Sequence, residues 1–588
     1  MRKTAVLASI MLLTICMIHC KKEAAKIDFT ALCKNYFDDK NKLNPLDATL
    51  NGQNQFNGDL AFEMTDSHRA SQKAFFEKYD GALAGIDESE LTAEEKISYG
   101  IMKWEVGIGR EMLKYPTNLL PLNQFTGTHL TMGQFAGGTS AQPFKTEKDY
   151  RDFLSRMGKF SAWIDSAMVY MKKGIEKGYV LPKALTVKVI PQFEELITSR
   201  AEDNLYYSAI KTMPASFSAD VKKDLAGKYA EAITKKLVPQ FVKITQYLKT
   251  DYLAASRTSS GINSLPMGRE TYAALAKQWT TTEKTPEAIH ALGLQEVALL
   301  KSEMEEVKKQ VGFKGSLKDF MNEIRNSKHL MPFTAPEQVL AHFDSIYKRI
   351  QPNIGKLFSV QPKTPFEIRR TEAFREKSAS PEYIPGSADG SRPGIFYVPV
   401  PDARTYNTLE DEDVFLHEAI PGHHFQISIQ QENTALPDFR KFNWFGAYGE
   451  GWALYTESLG KELGVYTDPY QYLGMLNDEM HRAIRLVVDT GIHSKGWTRE
   501  QAIQYSLDNE GESVATITSE IERYMAIPGQ ALSYKIGQLK IIELRERAKK
   551  KLGKTFDIRE FHKKILESGV MPLALLEQKM DAWMNGQR

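Results

Sequence analysis

The stretch Val414-Phe415-Leu416-His417-Glu418-Ala419-Ile420-Pro421-Gly422-His423-His424-Phe425-Gln426 sets three histidines and a glutamate in an otherwise apolar run. A neutral imidazole is a nitrogen ligand of borderline softness. A His-Glu pair followed closely by another His is how a helix presents two zinc ligands and a general base together. In the regular HExxH form the second histidine lies one helical turn on, on the same face and roughly 6 Å away. Here that position is Pro421, and the next histidines are His423 and His424. On a straight helix they would stand roughly 9 to 10 Å along the axis from His417, too far for ligand bonds of about 2.1 Å to a single ion. Metal binding therefore requires the helix to break. Pro421 has no N–H for the His417 carbonyl, and Gly422 accepts backbone angles closed to other residues, so a break at 421–422 is predicted.

Downstream stands Gly449-Glu450-Gly451-Trp452-Ala453-Leu454-Tyr455-Thr456-Glu457, far enough on for a loop and the return of an antiparallel helix. Glu450 is the natural third ligand. With His417 and one of His423 or His424 it gives two nitrogens and a carboxylate, leaving the fourth position of one zinc ion to water, as a catalytic site needs. Glu457, two turns further, faces the same way and would orient a ligand imidazole; the competing reading is a solvated or ion-paired helix carboxylate. Arg485 would hold a peptide carboxylate through its guanidinium, against the simpler reading of a helix ion pair with Asp489.

Working outward, the 588-residue chain is 42% hydrophobic and 26% charged, as expected of a soluble globular protein with two or more subdomains. Its 76 Lys and Arg against 74 Asp and Glu leave a formal charge of +2, which gives no support for a nucleic-acid partner, and none is expected. Arg2 and Lys3 precede an apolar run, Thr4 to Ile18, too short to span a bilayer but fit for an export signal over residues 1–20. Met17-Ile18-His19-Cys20 resembles a loose lipobox with Cys20 as the lipidated residue, which places the protein in the cell envelope as a lipid-anchored lipoprotein of the periplasm or outer membrane. The alternative is ordinary cleavage and release into the periplasm. Cys33 alone would then remain, so no internal disulfide is expected.

Residues 21–357 read as a helical half. Tyr150, Phe153, Met157, Phe160, Trp163 and Ile164 recur at helical steps, as do Ile289, Leu292, Val297, Leu300 and Met304, and these stripes are core rather than a cofactor box. Gly127 to Gly138 reads as an ordered surface loop. A small β-region follows over 358–405: Phe366–Arg370 and Gly394–Val400 look like strands, separated by a Pro/Gly/Ser loop from Ser378 to Pro393. Its edge would either bind an extended peptide or simply cap the fold. Residues 406–588 form a second helical half carrying the metal-binding residues, entered through a capping box of Thr408 and Asp411.

HEAIPGHHFQ and EGWALYTE, with PGQALSYKIG at 528–537, resemble the bacterial family known as domain of unknown function 885 (DUF885). That family is similar to the zincin peptidases typified by angiotensin-converting enzyme, thimet oligopeptidase and carboxypeptidase Taq. The resemblance implies a mainly α, two-sided fold around a deep cleft in which oligopeptides are cut. It favours His423, preceded by Gly422, as the second ligand, with His424 as its alternative. Donors to the oxyanion in such peptidases are a Tyr and a His well after the glutamate ligand. Tyr534 is the first choice here, His493 the looser one, and Tyr524 is a further substrate contact. Glu418 would take a proton from the attacking water and pass it to the leaving amine. A zinc metallopeptidase is the leading expectation. The alternatives are a zinc amidohydrolase acting on acyl-amino acids and a surface lipoprotein that binds peptides or glycans without cutting them, which would have no need of Glu418.

Overall fold

Where apolar residues recur at three- and four-residue steps, the chain is helical, and its ends carry their own signals. The longest case is α1 (Glu147–Glu176), opened by a reciprocal capping box between Thr146 and Asp149 and burying Tyr150, Phe153, Met157, Phe160, Trp163 and Ile164 along one face. The computed structural model describes residues 27–138, 140–372, 376, 379–387, 390 and 392–586; Cys20 and the expected export segment lie outside them. Over the described residues the fold is mainly α with a single three-stranded sheet. Most of the buried apolar residues belong to one connected cluster that runs from Phe29 to Met584.

Helices α2 (Pro286–Gln310) and α3 (Pro336–Leu357) lead to the sheet, β1 (Phe366–Arg370), β2 (Glu382–Ile384) and β3 (Gly394–Val398). The strand order is β1-β3-β2, with β1 parallel to β3 from Phe366↔Gly394 to Arg370↔Val398 and β2 antiparallel to it from Glu382↔Tyr397 to Ile384↔Ile395. β2 lies within the stretch expected to be only a loop. Phe396, at the sheet centre, meets Phe343 of α3 at 5.2 Å and Phe415 at 6.2 Å between ring centroids, so the sheet is wedged against the helix that carries His417.

That helix, α4 (Asp411–Glu418), is followed by α5 (His423–Glu432), α6 (Gly446–Glu457), α7 (Pro469–His493), α8 (Val514–Ala526) and α9 (Ser533–Leu552). The capping box expected at Thr408 does not form: its hydroxyl donates to the Leu330 carbonyl at 3.2 Å, and the cap residue Glu410 makes no side-chain cap bond. The acids of the first turn are buried anchors instead. Asp411 accepts from the Tyr406 hydroxyl at 2.8 Å, and Glu412 from the Tyr466 N–H at 2.5 Å while pairing with Arg349 at 2.6 Å. α7, buried along most of its length, packs along α2. α6 crosses α9 at closest approach through Gly451 and Gly537, where a Cβ on Gly537 would lie 1.8 Å from the Ala447 carbonyl oxygen. No other residue fits that crossing, which fixes Tyr534 on α9 relative to Glu450 on α6.

Candidate metal centre

The helix breaks where Pro421 and Gly422 require it. α4 ends at Glu418, the Ile420–Pro421 peptide is cis, and α5 starts at His423. At Gly422 a Cβ would stand 1.9 Å from the His417 carbonyl oxygen, so the fold-back is open to glycine alone. α6 staples both sides of the break: Trp452 Nε1 donates to the Pro421 carbonyl at 2.9 Å and Thr456 Oγ1 to the Leu416 carbonyl at 3.1 Å.

The fold-back brings three expected ligands together. Glu450 Oε2 lies 3.7 Å from His417 Nε2 and 3.4 Å from His423 Nε2, and the ligand atoms of all three residues fall within 4.8 Å of one another. Burial alone would raise the Glu450 carboxyl, but the facing His417 and His423 imidazoles outweigh it and hold the group well below the carboxylate range. His417 Nδ1 lies 2.5 Å from Glu457 Oε1; Glu457 is 1% exposed, so the solvated alternative for it fails. Glu418 closes α4 beside His417, half-buried. Burial raises its carboxyl, offset in part by the His417 and His423 charges.

His424 is not part of this group. Its Nδ1 meets the Tyr383 hydroxyl of β2 at 3.0 Å, its ring packs on Phe366 at 5.0 Å, and burial drives it down to about 4. The sheet holds it away from Glu450, which corrects its place as alternative ligand.

Tyr534 lies on α9, near enough to Glu450 to feel its charge. Burial, then the Glu450 charge, raises its phenol, and the Arg485 guanidinium stands 4.5 Å from its ring centroid. Arg485 does not pair with Asp489, which instead accepts from the Tyr272 hydroxyl at 2.5 Å and the Gly529 N–H at 3.1 Å. Arg485 donates to Glu520 at 3.0 Å and to the Tyr524 hydroxyl at 3.0 Å, and its Nη1 is buried without a partner. Tyr524 is 2% exposed and also donates to Glu520 at 2.8 Å, so it supports Arg485 rather than reaching a substrate. His493 is likewise corrected: the Ile262 N–H donates to its Nδ1 at 3.1 Å, its Nε2 meets the Tyr524 carbonyl at 2.9 Å, and burial pushes it down to about 3. Both nitrogens are spent on backbone.

Sequence reasoning missed two neighbours. Behind His417, carboxyl groups of Asp413, Glu457 and Asp478 gather within 4.8 Å; Arg482 holds the Asp478 carboxyl low against its burial, while burial raises the other two. Trp444, 42% exposed, stands with its ring 5.8 Å from that of His423. Nothing in its sequence neighbourhood, Phe442-Asn443-Trp444-Phe445, marks it. Neither of two open cavities contains the triad: one of about 660 Å³ lies between Gln124, Lys188 and α8, and one of about 280 Å³ lies beside Trp444.

A family described as "Bacterial protein of unknown function (DUF885)" matches the chain over residues 45–580. No curated protein matches it. The crystal structure of a "putative lipoprotein" from Colwellia psychrerythraea is 28% identical, with a TM-score of 0.86 over 95% of this chain and 99% of that chain. A "putative lipoprotein of unknown function" from Shewanella oneidensis shares the fold, at 19% identity and a TM-score of 0.73 over 94% of this chain and 100% of that one. No helix among the described residues is long and apolar enough to cross a membrane.

Proposed function

We propose that this chain, which belongs to the bacterial family of unknown function DUF885, is a zinc-dependent hydrolase of the zincin type that cleaves oligopeptides. The observation that carries the reading is the convergence of His417, His423 and Glu450 from three helices onto one point, with Glu457 fixing the far nitrogen of His417. Two imidazoles and a carboxylate are the donor set of catalytic zinc, and the three residues would hold one ion with a position left for water. Zinc, when bound, acidifies its water and polarises a carbonyl.

The remaining chemistry belongs to the chain. Glu418, beside His417 and lifted by burial, takes a proton from the attacking water and returns it to the leaving amine. Tyr534 stays protonated and donates to the developing oxyanion, its ring backed by the Arg485 cation. Anchoring through Cys20 at the cell envelope is supported by the "putative lipoprotein" description of the Colwellia neighbour.

The test is metal analysis of the purified chain, with wild type and Glu418→Gln compared on a mixed peptide library. Zinc retained in both with cleavage lost in the variant is the expected result, at a cost in kcat of roughly 10² to 10⁴. Absence of zinc in the wild type would sink the reading. Zinc without cleavage would favour a binding lipoprotein.

A further inference from the structure

Trp444 presents a large indole at the surface immediately before the ligand helix. Its six-membered ring is pressed onto Gly449, where a Cβ would lie 2.1 Å from Trp444 Cη2, and it faces His423 at 5.8 Å. It therefore touches one member of the triad and the residue preceding another. Trp444 also lines the 280 Å³ cavity, whose other apolar walls are Phe37, Leu50, Phe439 and Phe442. Leu50 is 53% exposed, so two of the chain's exposed large apolar side chains meet here.

Half of the polar lining is committed. Lys40 and Asn443 both donate to Glu105, at 3.0 and 2.9 Å, and Asn44 donates to the Lys40 carbonyl at 2.9 Å. Asn41 is 4% exposed and its Nδ2 has no hydrogen-bond partner. A buried donor left unpaired is costly, and an acceptor brought in by a ligand would recover that cost.

We infer that this cavity is a side-chain subsite of the peptidase, taking an aromatic side chain with a hydrogen-accepting end, tyrosine above all. The ring stacks on Trp444 among the phenylalanines, and the oxygen accepts from Asn41 Nδ2. The cavity is smaller than the roughly 300–1,000 Å³ of drug-sized sites, which suits one side chain and no more. Because Trp444 borders the triad, that side chain belongs to a residue next to the scissile bond. The inference rests on the peptidase reading, and Asp47 at the rim supplies its rival, a basic side chain.

Two arms test it. The zinc-loaded wild type is assayed on peptides differing only in Tyr, Phe, Lys or Ala at the variable position, and zinc-loaded Glu418→Gln is titrated with the same peptides by calorimetry. Tyr is expected to exceed Ala by roughly tenfold or more in both arms. Asn41→Leu should erase the preference for Tyr over Phe, and Leu50→Trp should shrink the Tyr-to-Ala ratio toward one. A protein merely damaged by either change would keep those ratios. Unchanged ratios in both variants, or a preference for Lys, overturn the subsite. If the wild type cuts no peptide the hydrolase reading fails, while selective binding of the Tyr peptide by Glu418→Gln still upholds the subsite and its absence still rejects it.

Discussion

His417 Nδ1 lies 2.5 Å from Glu457 Oε1, while the other nitrogen of the same ring faces Glu450 Oε2 at 3.7 Å. One imidazole is thus gripped from behind by a buried carboxylate and aimed at another. Glu457→Gln keeps the size but replaces the carboxyl group that fixes the His417 ring, so metal affinity should fall roughly 10- to 100-fold in competition with a chromogenic chelator. Wild-type affinity in that variant would remove Glu457 from the centre.

His423 and His424 are adjacent in sequence and opposite in surroundings. His423→Phe should abolish stoichiometric metal binding. His424→Phe should retain it, because that ring serves the sheet through Tyr383 and Phe366. Metal analysis of the two purified variants decides, and the reverse pattern would transfer the ligand role to His424.

Gly422→Ala forces a methyl to within 1.9 Å of the His417 carbonyl oxygen, a backbone atom that moves only if the fold-back opens. Overpacking of this kind costs about 1–3 kcal/mol. A lowered Tm of the metal-free protein together with lost metal is expected in differential scanning calorimetry and metal analysis. An unaltered Tm with full metal would show the fold-back is not pinned there.

His481 gives the pH dependence away from the triad. Burial alone would lower it, but Glu510, 2.5 Å from Nδ1, and Glu520, 3.4 Å from Nε2, carry it from an ordinary 6.5 up to about 9. The folded protein therefore holds this proton more tightly than the unfolded chain. Its contribution is complete below about pH 6.5 and is lost as pH rises through about 9. Tm should decline across that window in the wild type and much less in His481→Gln, whatever the variant's Tm at low pH. Parallel slopes would refute the assignment.

How far the sequence could be read depended on how local the determining physics is. The break at Pro421-Gly422 was legible because a missing N–H and a missing Cβ act within one turn of chain, and the buried stripe of α1 because helical periodicity is equally local. β2 escaped because Glu382-Tyr383-Ile384 is too short for a pattern and depends on pairing with Ile395–Tyr397. Thr408 carried a capping signature but found a stronger partner in Leu330, brought in by tertiary packing. His493 looked available only because the Ile262 amide that occupies it lies far away in sequence. Trp444 and Asn41 gave no signal for the same reason, since the cavity joins the first fifty residues to the loop before α6.

The contact between Gly422 and the His417 carbonyl has an evolutionary consequence. In a regular zinc helix the ligand spacing is inherited from helical pitch, so any residue that keeps the helix keeps the site. Here the spacing is inherited from one main-chain collision narrowly avoided, and two imidazoles share that single tolerance. A drift of sequence that spared both histidines yet replaced the intervening glycine would dismantle the centre, and a motif search keyed to four-residue periodicity passes over every chain built this way.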